Sequence, residues 1–343
     1  MTDASVADTA QGASLESISY GYSDTQLDLF GDPMPIPRSV FKQVMRRNGF
    51  QAANQGQSDL ATPAKQQGLI GMYRMLTLMR KKLREKKGIK NLIYMDMYSG
   101  IGENVADGQR IYGSPISMLE GIHRAVRSMN DGPGGVKRHV VFNDIVKGRA
   151  SEMLPQRVLE FQEDRGLQRN PELLVSYTKQ GDIVEIPIIY RDGSAQSLAK
   201  SVINRLNNPR SSEHYIIAVD PNGPKHAPWN ELEYIWNNFS NHAEFIFHIS
   251  ATTLKRIAKA RESGIKANAD IPNHVQAMLD KFAHSKGWVR NGVGADYWTL
   301  MLLTKFSPDY GWGKDYHLID SPEGQKVIRS LSLTKKEMAE VAL

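Results

Sequence analysis

Residues 91–102 read Asn-Leu-Ile-Tyr-Met-Asp-Met-Tyr-Ser-Gly-Ile-Gly, an apolar run that ends in Asp96 and then breaks into a glycine turn. A β-branched and aromatic run of this kind suits a strand buried on both faces of a parallel sheet. Gly100 and Gly102 let the backbone turn sharply and approach a ligand more closely than any side chain permits. A helical segment follows from about Ser114. Strand, glycine turn and helix in this order build a doubly wound sheet, with a binding crevice at the carboxyl end of the strand.

The alternation continues along the chain. Strands are expected at 92–96, 139–143, 173–177, 215–220 and 244–249, with helices near 114–128, 147–164, 194–207 and 229–239. A helix over Thr62–Lys87 comes first. Its Leu69, Met72, Met75, Leu76, Met79 and Leu83 recur at helical spacing, and Pro63 fits a first turn. This order predicts an α/β fold, doubly wound, with a mostly parallel sheet and helices on both faces. Helices around 252–262 and 273–286 form an insertion over 251–296, before a late strand at 297–304 and an aromatic loop from Phe306 to Tyr316. The α/β domain is thus read over 62–326, with a C-terminal helical unit over 327–343. Residues 1–36, rich in Ser, Asp, Thr, Ala and Gly and ending in Asp32-Pro-Met-Pro-Ile-Pro37, read as a disordered tail, and 37–61 as a linker.

Cysteine is absent, which removes disulfides, thiolate metal sites and cysteine nucleophiles together. The nine histidines show no close metal-ligand spacing, so no metal is expected. No apolar stretch approaches a membrane span and the N-terminus lacks a basic region followed by an apolar one, so a cytoplasmic location without membrane is expected. A net charge of +6 and a pI near 9.2 point toward polyanions. Much of the excess lies in Arg80–Lys87 and in Lys255, Arg256, Lys259 and Arg261, on helix faces that either contact phosphates or are simply solvated.

The glycine spacing selects among nucleotide-type sites. A dinucleotide fingerprint needs a third glycine where Val105 stands, and no Lys-Ser or Lys-Thr follows to make a P-loop. An acidic residue just before a short Gly-x-Gly turn resembles motif I of the S-adenosylmethionine-dependent methyltransferases. The resemblance implies that cofactor, held by Asp96, Tyr98, Ser99, Gly100 and Gly102. Asp144, ending the second strand, either accepts the ribose hydroxyl protons or caps a helix. Its distance from the turn requires an insertion, at Glu103–Tyr112 or Ser128–Lys137. After the third strand, Gln180-Gly-Asp182 offers Asp182 to the adenine amino group, or is an ordinary turn.

Tyr215-Ile-Ile-Ala-Val-Asp-Pro-Asn-Gly-Pro224 resembles the Asp-Pro-Pro-Tyr motif of amino methyltransferases. That resemblance implies that Asp220 and the Pro221 carbonyl accept hydrogen bonds from an exocyclic amine and align its lone pair with the methyl carbon. Asn222 and Gly223 replace the second proline and the aromatic, so a base must stack on Trp229 or Tyr98. The plainer alternative is a proline turn closing a strand. Without a cysteine nucleophile, cytosine C5 methylation is excluded.

Lys65, Asp96-x-Tyr-Ser-Gly-x-Gly, Gly113-Ser-Pro115, Asp220-Pro221 with Trp229 and Glu231, and Thr304-Lys305 together resemble the three-Cys-motif partner proteins, a family of methyltransferases, over about residues 60–306. The family's substrate is undefined. On this reading Lys65, Trp229, Lys255, Arg256 and Lys259 face the substrate.

In the tail, Gln26-Leu27-Asp28-Leu29-Phe30 resembles the bacterial sliding-clamp-binding peptide. Leu29 and Phe30 can fill an apolar pocket while Gln26 hydrogen-bonds beside it. The combined reading is a DNA methyltransferase acting on an exocyclic amine, adenine N6 ahead of cytosine N4, with low sequence specificity because the segment 251–316 offers few side chains to read base edges. The alternatives are an RNA methyltransferase with the same cofactor residues, and a non-catalytic clamp- and DNA-binding adaptor.

Overall fold

The computed structural model describes residues 22–27, 33–35, 61–78, 88–106, 109–130, 136–208, 211–221, 226–250, 281–282, 286–290, 298–305 and 316–332. Within the segment read as a tail, β1 (Tyr22–Leu27) pairs antiparallel with β2 (Pro33–Pro35), Leu27 opposite Pro33. The remainder of 1–36, Asp28 to Phe30 included, lies outside the described residues.

Helix α1 (Ala61–Leu78) precedes β3 (Asn91–Asp96), and a small hairpin of β4 (Glu103–Ala106) and β5 (Gln109–Tyr112) leads into α2 (Ser114–Ser128). This hairpin occupies the first of the two places offered for the insertion between the glycine turn and the second strand. Strand β6 (Lys137–Asp144) is followed by a wide turn over Arg149–Met153 and then α3 (Leu154–Asp164). Pro155 accounts for the late start, since its missing N–H is harmless only in a helix's first turn.

Strands β7 (Leu173–Tyr177) and β8 (Ile183–Asp192) form an antiparallel hairpin. After it come α4 (Ala195–Leu206), β9 (Glu213–Val219), α5 (Trp229–Phe239) and β10 (Ala243–Ser250). Further along, β11 (Lys286–Arg290), β12 (Trp298–Thr304), β13 (Tyr316–Leu318) and α6 (Pro322–Ser332) complete the described elements.

Nine strands make one sheet in the order β13-β11-β12-β10-β9-β3-β6-β8-β7. The five strands β8-β6-β3-β9-β10 are mutually parallel, whereas β7 at one edge and β12, β11 and β13 at the other are joined antiparallel. Taken by chain position, the parallel strands lie 3-2-1-4-5. That is the doubly wound, Rossmann-like order expected for an S-adenosylmethionine methyltransferase fold, with its topological switch between β3 and β9.

Alternating residues feed two cores, because successive strand side chains point to opposite faces. Leu92, Tyr94, Val140, Phe142 and Ile216 pack with α1, α2 and α3, and Ile93, Met95, Val141, Ile217 and Phe247 with α4 and α5.

Three expectations are corrected. The third parallel strand is β8, not 173–177, which is the antiparallel edge; Pro187 and the polar positions of β8 gave that segment the look of a loop, although Val184, Ile186 and Ile188 are buried in strict alternation. Lys286, expected to end a helix, begins β11, which pairs with both β12 and β13. Helix α6 runs across the boundary drawn at 326/327. Residues 251–280 and 333–343 lie outside the described residues.

The hairpin is pinned at its base. Gly113 donates its N–H to the Gly102 carbonyl at 2.8 Å, and a Cβ on Gly113 would stand 2.6 Å from the Gly102 carbonyl carbon. Backbone cannot yield as a flexible side chain can. Gly113→Ala is therefore expected to destabilise the protein by about 1–3 kcal/mol, read as a lowered denaturant midpoint. A substitution at Gly88, where an added Cβ meets nothing within 4 Å, should cost only the strain of its positive φ.

Candidate active site

The carboxyl ends of β3, β6 and β8 are tied by one set of hydrogen bonds. The Asn143 side-chain amide donates to the carbonyls of Met97 (3.2 Å) and Gly193 (2.9 Å), while Ser99 donates its N–H (2.9 Å) and hydroxyl (3.1 Å) to the Asn143 carbonyl. Gly100, at φ 58°, donates its N–H to Asp144 Oδ2 at 2.9 Å, and Val146 donates to Oδ1 at 2.8 Å. This left-handed turn favours glycine, and a Cβ at Gly100 would meet nothing within 4 Å. The turn thus borders open space.

Asp96 is buried at the switch point, where its Oδ1 accepts the Tyr98 N–H at 3.0 Å and its Oδ2 makes no hydrogen bond of ordinary geometry. Burial is the main reason its carboxyl is pushed up to about 6; the Ser114 hydroxyl and Tyr98 N–H act to lower it, Asp220 raises it and Lys65 lowers it. A cationic ligand would complete this environment. S-adenosylmethionine, carrying a sulfonium and an ammonium, fits these residues: an underused buried carboxylate, open space at Gly100, and in Asp144 a carboxylate with lone pairs left for ribose hydroxyls. Beside Asp144, Ile145 is 69% exposed and offers an apolar surface.

A second cluster lies across the switch point. Lys65 reaches from α1 to Asp220 Oδ2 and pairs with it, while Asp220 Oδ1 is 2.7 Å from Nδ1 of His248 on β10. Burial would raise the Asp220 carboxyl, but His248 and Lys65 together hold it well below the ordinary carboxylate range. Burial lowers the His248 imidazole, opposed by Asp220 and helped by Lys65. The resulting arrangement is an ionised carboxylate held between an ammonium and an imidazole. Nearby, Tyr98 donates its hydroxyl to the His226 carbonyl at 2.7 Å; burial chiefly, then Asp220 and Asp96, push its phenol up.

The fold therefore gathers Lys65, Asp96, Tyr98, Ser99, Gly100, Asp144, Asp220 and Pro221 around the switch point. Others fall elsewhere. Asp182 sits in the β7–β8 turn, with its N–H and carbonyl bonded to Thr178, before β8 begins and so at the opposite end of the sheet. The residue ending β8 is Asp192, paired in register with Asp144 and accepting the N–H groups of Gly148 and Ser151. Gly102 serves packing, since a Cβ there would lie 2.3 Å from Leu154 Cδ1. Trp229 is buried and stacked on Phe247 with ring centroids 5.8 Å apart, which removes it as a platform for a base. Asn222, Lys255, Arg256 and Lys259 lie outside the described residues.

Sequence reasoning missed His248 and Asn143. The available signal for His248 was a polar residue interrupting the apolar strand beside that of Asp220. No metal-holding group of His, Cys, Asp or Glu occurs among the described residues, and no helix among them is long and apolar enough to cross a membrane.

No family model and no curated protein matches the chain. Among solved structures, it is similar to a Legionella pneumophila protein (12% identity, TM-score 0.36, covering 77% of this chain and 90% of that one). It is also similar to the magnesium protoporphyrin IX methyltransferase of Synechocystis PCC 6803 with bound SAH (14%, 0.35, 77% and 93%). A class I S-adenosylmethionine-dependent methyltransferase of Listeria monocytogenes is a third (11%, 0.32, 76% and 69%). At these scores the likeness assigns neither substrate nor residue role.

Asp96 yields a pH test. A cationic ligand needs its ionised form, so affinity for S-adenosylmethionine in calorimetry should fall as pH drops below about 6, by up to roughly tenfold per unit for one competing proton. Asp96→Asn should bind more weakly and without that pH dependence. Ligand-free stability carries the opposite sign: a carboxyl raised from 3.8 to about 6 keeps its proton more readily when folded, so its contribution declines as pH rises through that window.

Proposed function

We propose that this chain is an S-adenosylmethionine-dependent methyltransferase of the three-Cys-motif partner type. Its substrate is DNA, its acceptor an exocyclic amine, adenine N6 ahead of cytosine N4. The observation that carries the reading is the Lys65–Asp220–His248 cluster at the switch point, beside the glycine turn. Asp96, Tyr98, Ser99, Gly100 and Asp144 are the residues that hold the cofactor, which supplies an electrophilic methyl group on a sulfonium. Asp220, kept ionised by its two partners, accepts an N–H of the amine, and the Pro221 carbonyl accepts the other. Orientation and exclusion of water are most of what such a displacement asks of a protein.

DNA as the polymer, and the bacterial sliding clamp as partner, are supported by the tail pentapeptide and the basic charge. A tether raises the local concentration of substrate without any new catalytic contact.

Incubation with labelled cofactor and either DNA or RNA, followed by digestion to nucleosides and mass spectrometry, tests reaction, polymer and atom together. Label in N6-methyladenine from DNA is the expected result. Label only from RNA would move the polymer, and absence of both binding and transfer would leave an adaptor. Asp220→Asn, close in shape, should keep cofactor affinity and lose roughly ten- to a hundredfold in turnover, as expected for a charged hydrogen bond.

A peptide of residues 1–36 should bind a bacterial sliding clamp, and Leu29→Ala with Phe30→Ala should abolish binding in a titration, each side chain contributing about 1.5–3 kcal/mol if fully buried. Equal affinities for both peptides would remove the tether. Methylation of short oligonucleotides should be unaffected.

A further inference from the structure

The acceptor site holds a cation where amine methylation by itself requires none. Lys65 could be merely a counter-ion for Asp220 and Asp96, yet it is 17% exposed and Asp220 26% exposed, so the pair is open to a ligand at the crevice. Each partner keeps bonding capacity. An ammonium has three N–H groups and a carboxylate about four lone-pair positions, of which the Lys65–Asp220 and Asp220–His248 contacts use only part. Lys65 Nζ and Asp220 Oδ2 lie side by side at hydrogen-bond separation, a donor next to an acceptor.

We propose that Lys65 and Asp220 together read the amidine edge of the acceptor base, Asp220 accepting an N–H of the exocyclic amine and Lys65 donating to the adjoining ring nitrogen. This rests on the amine-methyltransferase reading above and names what the site recognises. Adenine presents that edge as N6–H beside N1, and cytosine as N4–H beside N3; amine and ring nitrogen are spaced to form two parallel bonds with such a pair. Thymine and uracil, and guanine at its O6 and N1–H, present a carbonyl oxygen beside a ring N–H. In that orientation they fit only with the ring N–H turned to Asp220, which offers no exocyclic amine to the methyl donor; guanine repeats the amidine pattern only at N2 and N3, off its O6 side. His248 is the positioning residue, holding Oδ1 so that Oδ2 stays beside Lys65. Because the edge read is the Watson–Crick edge, the base must be unpaired or flipped out of its duplex.

The test is a cycle of two substrates and two proteins. Oligonucleotides carrying adenine or 1-deazaadenine, which has a C–H in place of N1, are methylated by the wild type and by Lys65→Met, and kcat/KM is compared. If Lys65→Met does not accumulate as folded protein, Lys65→Leu, which also lacks a donor, takes its place. Intrinsic differences in reactivity between the two bases appear in both proteins and cancel. The expected result is a preference for adenine roughly ten- to a hundredfold larger in the wild type than in the variant. The same ratio in both proteins overturns the inference while leaving amine methylation intact. Transfer to neither oligonucleotide overturns the methyltransferase reading and this inference with it.

Discussion

Two carboxylates, Asp96 and Asp220, stand close enough at the ends of adjacent parallel strands for the charge of Asp220 to raise the cost of ionising Asp96, and the surrounding structure answers to that constraint. Strand pairing brings them together, since Asp96 lies opposite Ala218, two residues before Asp220. Unrelieved like charges in a partly dry crevice are strongly unfavourable. Relief comes from outside the sheet, through Lys65 on α1, and from within it, through His248 on β10. The ammonium and the imidazole both settle on Asp220. Asp96 is left with the higher affinity for a proton, and equally with the greater appetite for a positively charged ligand.

This division of labour depends on the rigidity beneath it. The side chain of Asn143 and the backbone of Ser99 knit the ends of β3, β6 and β8, while the two apolar layers fix the sheet on both sides. Loops that carry chemistry are held here by strand ends, so small displacements of a carboxylate would have to deform packed cores.

Much of this was legible in the residues. The run at 91–96 and the turn at Gly100 announced the strand and its crevice because period and glycine placement are local signals. Asp144 and Asp220 were found because each ends an apolar run. What escaped depended on partners distant in sequence. Asp182 follows plausible strand residues whereas Asp192 ends a segment that looks like a loop, and only the pairing of β7 with β8 shows that the first lies at the far end of the sheet. Gly102 looked like Gly100, yet Leu154 decides its role. His248 and Trp229 exchange the parts one would give them: the histidine joins the charged cluster, and the aromatic ring disappears into the core beneath Phe247.

The contact between Lys65 and Asp220 spans 155 residues, from the helix before the first parallel strand to the end of the fourth. Closing so long a loop is an entropic burden that a folding chain meets only after its local elements have formed. The Lys65–Asp220 pair is consequently a late product of folding, absent from any species in which α1 has not docked. Such a species can already hold the glycine turn and the ends of β3 and β6, so the two sides of the crevice belong to different stages in the maturation of the same molecule.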